Sequence, residues 1–184
     1  LGNADPDKVM VKLAEESQHV HFSTGNPHYY LRAMDLLSDK DVNISLDPAQ
    51  EAYRIWSSET FPPAVARTDV LFSNEHEMPS MLGYLNLENM EDIPVETIIF
   101  TRGAKGSSVL IDGEVHEIPA ISTKVVDTTG AGDAFRAGLY SGLYRGYDIL
   151  EAASIGAATA SFIIEERGSL TAIPNWEQVL ERAG

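Results

Sequence analysis

Short runs of β-branched and apolar residues alternate along this chain with stretches that favour helix, and this alternation constrains the fold more than any other feature. Thr97-Ile98-Ile99-Phe100-Thr101 is apolar at nearly every position, as in strands buried on both faces of a parallel sheet. Similar runs at His19 to Ser23, Val42 to Leu46 and Asp69 to Ser73 are each followed by a segment with helical spacing. Repeats of strand, helix and strand build βαβ units around a mainly parallel sheet.

The first helix is expected over Asp5 to Gln18, with Asp5 as N-cap, Pro6 in the first turn, and Val9 and Leu13 on the apolar face. A second runs from Pro27 to Ser38 and turns Tyr30, Leu31, Met34 and Leu37 inward. A third is expected around Gln50 to Trp56, with Pro62-Pro63 as a break behind it, and a fourth over Asn74 to Tyr84. Ser107 to Ile111 and Glu114 to Ile118 flank Asp112-Gly113, a strong hairpin signal. The last third reads as helices over Gly132 to Tyr147, Asp148 to Glu166 and Asn175 to Arg182. Gly138, Gly142 and Gly146 fall four apart, and small residues (Ala152, Ala153, Gly156, Ala157, Ala158, Ala160) crowd the next helix. Two buried helices packed closely together are expected there.

Composition narrows the function classes. With 184 residues, 43% of them hydrophobic, the chain suits one large or two small domains with an ample core. It has no Cys, which excludes zinc fingers, Cys-ligated clusters and thiol catalysis. A net charge of −15 argues against a nucleic-acid binder, which needs a basic face. The acidity is either an ordinary solvated surface or an adaptation to a salty interior that screens self-repulsion. No apolar run approaches the roughly 18 residues of a membrane helix, so a cytoplasmic protein without membrane partners is expected. The chain opens on Leu1 and runs directly into Asp5-Pro6-Asp7, so it reads as beginning mid-protein.

One segment carries chemistry. Val125-Val126-Asp127-Thr128-Thr129-Gly130-Ala131-Gly132-Asp133-Ala134-Phe135 leads from a strand-like run through a glycine-rich loop into a helix. Small side chains leave the amides of Gly130, Ala131 and Gly132 open, and the helix N-terminus adds positive potential, so an anion is favoured there. A carboxylate beside an anion site repels its ligand. Asp133 is therefore either a simple helix-start residue or a general base for a hydroxyl attacking the bound phosphoryl group.

Two further loops follow strand-like runs. Thr101-Arg102-Gly103-Ala104-Lys105-Gly106 lacks the P-loop spacing; it is a plain glycine turn or an approach for nucleotide. Asn74-Glu75-His76-Glu77 sits where open α/β sheets place ligands, and its carboxylates could reach Mg²⁺ through water. The five histidines show no metal-ligand spacing and read as structural.

Taken in order, Asn74-x-x-Glu77, Thr101-x-Gly103-x-x-Gly106 and Asp127-Thr-Thr-Gly-Ala-Gly-Asp-Ala-Phe135 resemble the PfkB, or ribokinase-like, family of carbohydrate and nucleoside kinases over nearly the whole chain. That resemblance implies a three-layer α/β fold, a mainly parallel sheet flanked by helices, with the amino-terminal part and lid missing. Residues 1–184 would then be the carboxy-terminal, nucleotide-binding part of one kinase domain. It implies phosphoryl transfer from ATP to a primary hydroxyl, with Asp133 as base and Gly130, Ala131 and Gly132 as anion hole. Thr101, Gly103 and Gly106 would line the donor site, and Asn74 and Glu77 would position Mg²⁺. Asp127 and Thr129, with Arg167-Gly168-Ser169 nearby, match the family's monovalent cation (K⁺) site.

Asp47-Pro48-Ala49-Gln50 replaces a pattern common in bacterial sugar kinases, and Arg136 stands one turn after Asp133. With His21 to Pro27 and the Ile155 to Phe162 run, these resemble the archaeal nucleoside kinase branch most. Gln50 and Arg136 are thus candidate substrate or phosphate contacts, although Arg136 could equally be an exposed helix charge. A nucleoside acceptor is expected first, and a sugar such as ribose or fructose second. An inactive nucleotide-binding fragment is the reading from a different class. The family resemblance also implies a homodimer at full length.

Overall fold

The structure, a computed structural model, describes residues 5–184. Seven helices and six strands are described in that span: α1 (Lys8–Glu15), β1 (His19–Phe22), α2 (Pro27–Leu37), β2 (Asn43–Leu46), α3 (Phe61–Val65), β3 (Val70–Asn74), α4 (Met78–Leu85), β4 (Thr97–Thr101), β5 (Ser107–Ile111), β6 (Glu114–Ile118), α5 (Ala131–Tyr144), α6 (Ile149–Ile163) and α7 (Trp176–Ala183). The strands lie in the order β1-β2-β3-β4-β5-β6, and β1 to β4 pair in parallel. This is the α/β class expected from the alternation. Among the described residues no helix is long and apolar enough to cross a membrane.

The chain groups into two compact units. One reaches Thr101 and includes Leu110–Glu114; the other comprises Arg102–Val109 and Val115–Gly184. In the first, Met34, Leu37, Phe61, Val65, Leu71, Met81 and Ile98 are fully buried between helices and strands. Each such side chain contributes roughly 1.5–3 kcal/mol by leaving water. Asp69 secures the start of β2, its Oδ2 accepting the Ile44 N–H at 2.7 Å.

Three local readings change. Asp7, not Asp5, caps α1, accepting from the Val9 and Met10 amides at 3.0 and 2.9 Å. The buried face also differs: Ala14 is buried and Met10 half-buried, while Val9 and Leu13 are 63% and 59% exposed. The segment expected to be helical around Gln50 to Trp56 closes instead as a 3₁₀ turn, Ala49–Tyr53. The buried Asp47 carboxylate accepts the Ala49 amide at 2.8 Å, and Ala49 takes a left-handed φ of +48°, which an α-helix cannot continue. Pro62 and Pro63 lie within α3 rather than breaking the chain, because a first-turn proline forgoes an N–H that has no partner in the helix anyway.

In the second unit α5 and α6 pack at two glycines. A Cβ on Gly138 would fall 2.9 Å from the Gly156 Cα, and one on Gly156 would fall 2.7 Å from the Phe135 carbonyl oxygen. The small-residue stripes are therefore a helix–helix contact, as expected. Helix α7 covers Ile155 and Ala158 with Val179. Its Arg182 donates to Glu165 at 2.8 Å and to the Ser161 hydroxyl at 3.1 Å.

Candidate active site

In the first unit the parallel strands β1 to β4 place their carboxyl ends along one edge, where open α/β sheets bind ligands. Asn74, the last residue of β3, is the register partner of Thr101, the last of β4, so two of the candidate residues are brought side by side. The Asn74-x-x-Glu77 spacing also has a local use. Asn74 Oδ1 accepts the amides of His76 and Glu77 at 2.9 and 3.1 Å, and Glu77 Oε2 accepts the Asn74 amide at 3.1 Å. This reciprocal arrangement has the logic of a capping box and holds a buried carboxylate just ahead of α4. Gln50 is exposed in the 3₁₀ turn that follows β2.

The second unit holds the remaining candidates. Arg102 to Gly106 is a tight turn with its own bonds: the Arg102 N–H donates to the Gly106 carbonyl at 2.8 Å, and the Gly106 N–H to that of Gly103 at 3.0 Å. Gly106 has φ +86°, and a Cβ there would lie 2.2 Å from the Ile118 carbonyl oxygen, so only glycine fits. Arg102 pairs with Glu117, a partner that nothing in the sequence pattern announced.

The loop from Asp127 to Asp133 is built on one carboxylate. Asp127 Oδ1 accepts the Thr129 amide at 3.0 Å and Oδ2 the Gly168 amide at 3.1 Å, tying the loop to the Arg167-Gly168-Ser169 turn. Hydrogen bonds from Thr129, and then the Gly168 N–H, hold the Asp127 carboxyl below the usual carboxylate range. Gly130 has φ +82°, and a Cβ on it would lie 2.5 Å from the Ser169 Cβ. Both the turn and the close approach demand glycine. No side chain caps α5, which begins at Ala131; of the three candidate anion-hole amides, that of Ala131 turns to the Thr128 carbonyl at 3.2 Å. Asp133 stands in the first turn of α5 with its side chain 79% exposed, paired with Arg136.

The pfkB family of carbohydrate kinases matches residues 2–176. The chain belongs to this family. A nucleoside kinase of Methanocaldococcus jannaschii is 38% identical over 89% of this chain and 54% of that relative. A nucleoside kinase of Methanothermobacter thermautotrophicus is 32% identical over 91% of this chain and 54% of its own length. The crystal structure of the M. jannaschii nucleoside kinase, described as an archaeal member of the ribokinase family, superposes with a TM-score of 0.83 over 95% of this chain and 60% of that one, at 36% identity. The fold is thus ribokinase-like, as the sequence resemblance implied. The chain spans about half the length of the curated relatives it matches.

Proposed function

We propose that the protein is a kinase that transfers the terminal phosphoryl group of ATP to a primary hydroxyl of a nucleoside, with Asp133 as general base. The observation that carries this reading is the start of α5. A left-handed glycine delivers the chain into an uncapped helix N-terminus, and a largely exposed carboxylate stands in its first turn. The amides of Gly130 and Gly132 would hold the transferring group as an anion hole, where fixed donors need no reorganisation as charge develops, and that of Ala131 would join them by giving up the Thr128 carbonyl.

The chemistry balances with these parts. The acceptor oxygen attacks phosphorus while its proton passes to the Asp133 carboxylate. The bond from phosphorus to the bridging oxygen breaks, and its electron pair leaves with ADP. Thr101, Gly103 and Gly106 serve the donor nucleotide, and Gln50 contacts substrate or phosphate.

Among the described residues no group of three or more His, Asp or Glu could hold a metal alone. Mg²⁺ keeps several waters and is bound largely through substrate phosphates. Glu77, buried and oriented by Asn74, would reach it through water. Mg²⁺, when bound, supplies neutralisation of the phosphate charge. Asp127, kept ionised by its hydrogen bonds, and Thr129 suit a monovalent cation such as K⁺.

The similarity to two archaeal nucleoside kinases supports a nucleoside over a sugar acceptor, and a cytoplasmic location belongs to the same reading. A screen of nucleosides against ribose and fructose, with ATP and Mg²⁺ and the full-length protein, tests it. Nucleoside phosphorylation that disappears in Asp133→Asn is expected. Turnover of sugars alone would reassign the acceptor, and nucleotide binding without any transfer would overturn the kinase reading.

A further inference from the structure

We propose that Arg136 is a positioning residue shared between the base and the transferred phosphoryl group, and that it keeps Asp133 aimed while lending positive charge to the anion hole. This rests on the reading of Asp133 as base. Four observations point the same way.

Helical side chains lean toward the N-terminus of their helix, so Arg136, three residues on, reaches back over the first turn of α5 and pairs with Asp133. Its guanidinium also lies against the loop itself, since a Cβ on Gly132 would be 3.9 Å from Nη1 of Arg136. The exposures are unequal: the Arg136 side chain is 18% exposed and that of Asp133 79%. A helix-surface ion pair made for solubility leaves both partners in water; here the cation is packed in and the carboxylate is held outward.

The i,i+3 order, carboxylate before cation, is one that helices favour, and it brings a positive charge back to the N-terminal amides of α5. The same charge favours a phosphoryl group arriving at those amides, and a guanidinium can pair with a carboxylate and a phosphate oxygen at different edges. In a chain of net charge −15, a local cation offsets the field that an ATP phosphate meets.

The test compares Arg136→Lys, Arg136→Gln and Arg136→Ala in the full-length protein with Mg²⁺, ATP and a nucleoside that the wild type turns over. Removing the charge is expected to lower kcat by about 10- to 100-fold, with the acceptor KM nearly unchanged. Lysine should retain more activity than glutamine, which is similar in length but neutral. Guanidinium chloride at millimolar concentration should raise kcat of Arg136→Ala and not that of the wild type. Lysine and glutamine variants of equal activity, or an alanine variant indifferent to guanidinium, would overturn the proposal even if alanine itself folds poorly. Activity surviving in Asp133→Asn would overturn the base assignment and this proposal with it. An inactive Asp133→Asn beside a fully active Arg136→Gln would overturn this proposal alone.

Discussion

Replacing Gly156 by alanine sets two effects of known sign against each other. Alanine is the better helix former by about 0.8–1 kcal/mol, so propensity alone predicts a more stable protein. The added methyl would sit 2.7 Å from the Phe135 carbonyl oxygen and 3.3 Å from two carbons of its ring. The nearest obstacle is backbone of α5, which cannot rotate away, so the helices must separate. Overpacking of this kind costs about 1–3 kcal/mol and sometimes more. The net expectation is a loss of up to about 2 kcal/mol, or a Tm lower by up to roughly 8 °C for a chain of this size. Gly83, in α4, is the control, since a Cβ there meets nothing within 4 Å, and Gly83→Ala should raise stability by about 0.5–1 kcal/mol. Urea unfolding followed by circular dichroism, with m held constant across the variants, reads both. A Gly156→Ala protein stabilised as much as the Gly83→Ala control would refute the α5–α6 contact as described.

Gly130→Ala places a side chain at φ +82° and 2.5 Å from the Ser169 Cβ. The left-handed conformation alone costs about 1–2 kcal/mol, and phosphoryl transfer should fall further than stability does, as kcat and urea midpoints measured together would show. Glu165 is held below the usual carboxylate range by the Thr123 hydroxyl and then by Arg182. Its folded-state pKa lies below the unfolded one, so its stabilisation is present above the ordinary carboxylate range and is lost as pH falls through the lowered value. Glu165→Gln should therefore cost up to about 1 kcal/mol near neutral pH, with the gap to wild type closing at acid pH in a Cm-versus-pH series.

The elements with a strong local cause were legible in the sequence. The β-branched run of β4 and the Asp112-Gly113 turn place β4, β5 and β6 residue for residue, and Asp112 and Gly113 take the φ values of +53° and +77° that such a turn requires. The face of α1 was not legible, because Val9 with Leu13 and Met10 with Ala14 are both apolar pairs at helical spacing, and periodicity alone does not choose between neighbouring faces. The 3₁₀ turn after β2 depends on Asp47 folding back onto Ala49, which helical periodicity cannot register. At the site, the glycine loop and Asp133 announce themselves by residue type. The second use of Asn74 and Glu77, bonding each other ahead of α4, has the spacing of a cap, and a motif reading passes over it. The Asp127 bond to Gly168 spans 41 residues, and no local pattern carries it.

The central claim is that Asp133 accepts the proton of the attacking hydroxyl. Asparagine keeps its size and removes its basicity, so Asp133→Asn in the full-length protein, assayed for transfer from ATP to a nucleoside, addresses it most directly. A loss of about 10²- to 10⁴-fold in kcat is expected, with nucleotide affinity and Tm close to wild type. Phosphoryl transfer at near wild-type rate in that variant would contradict it.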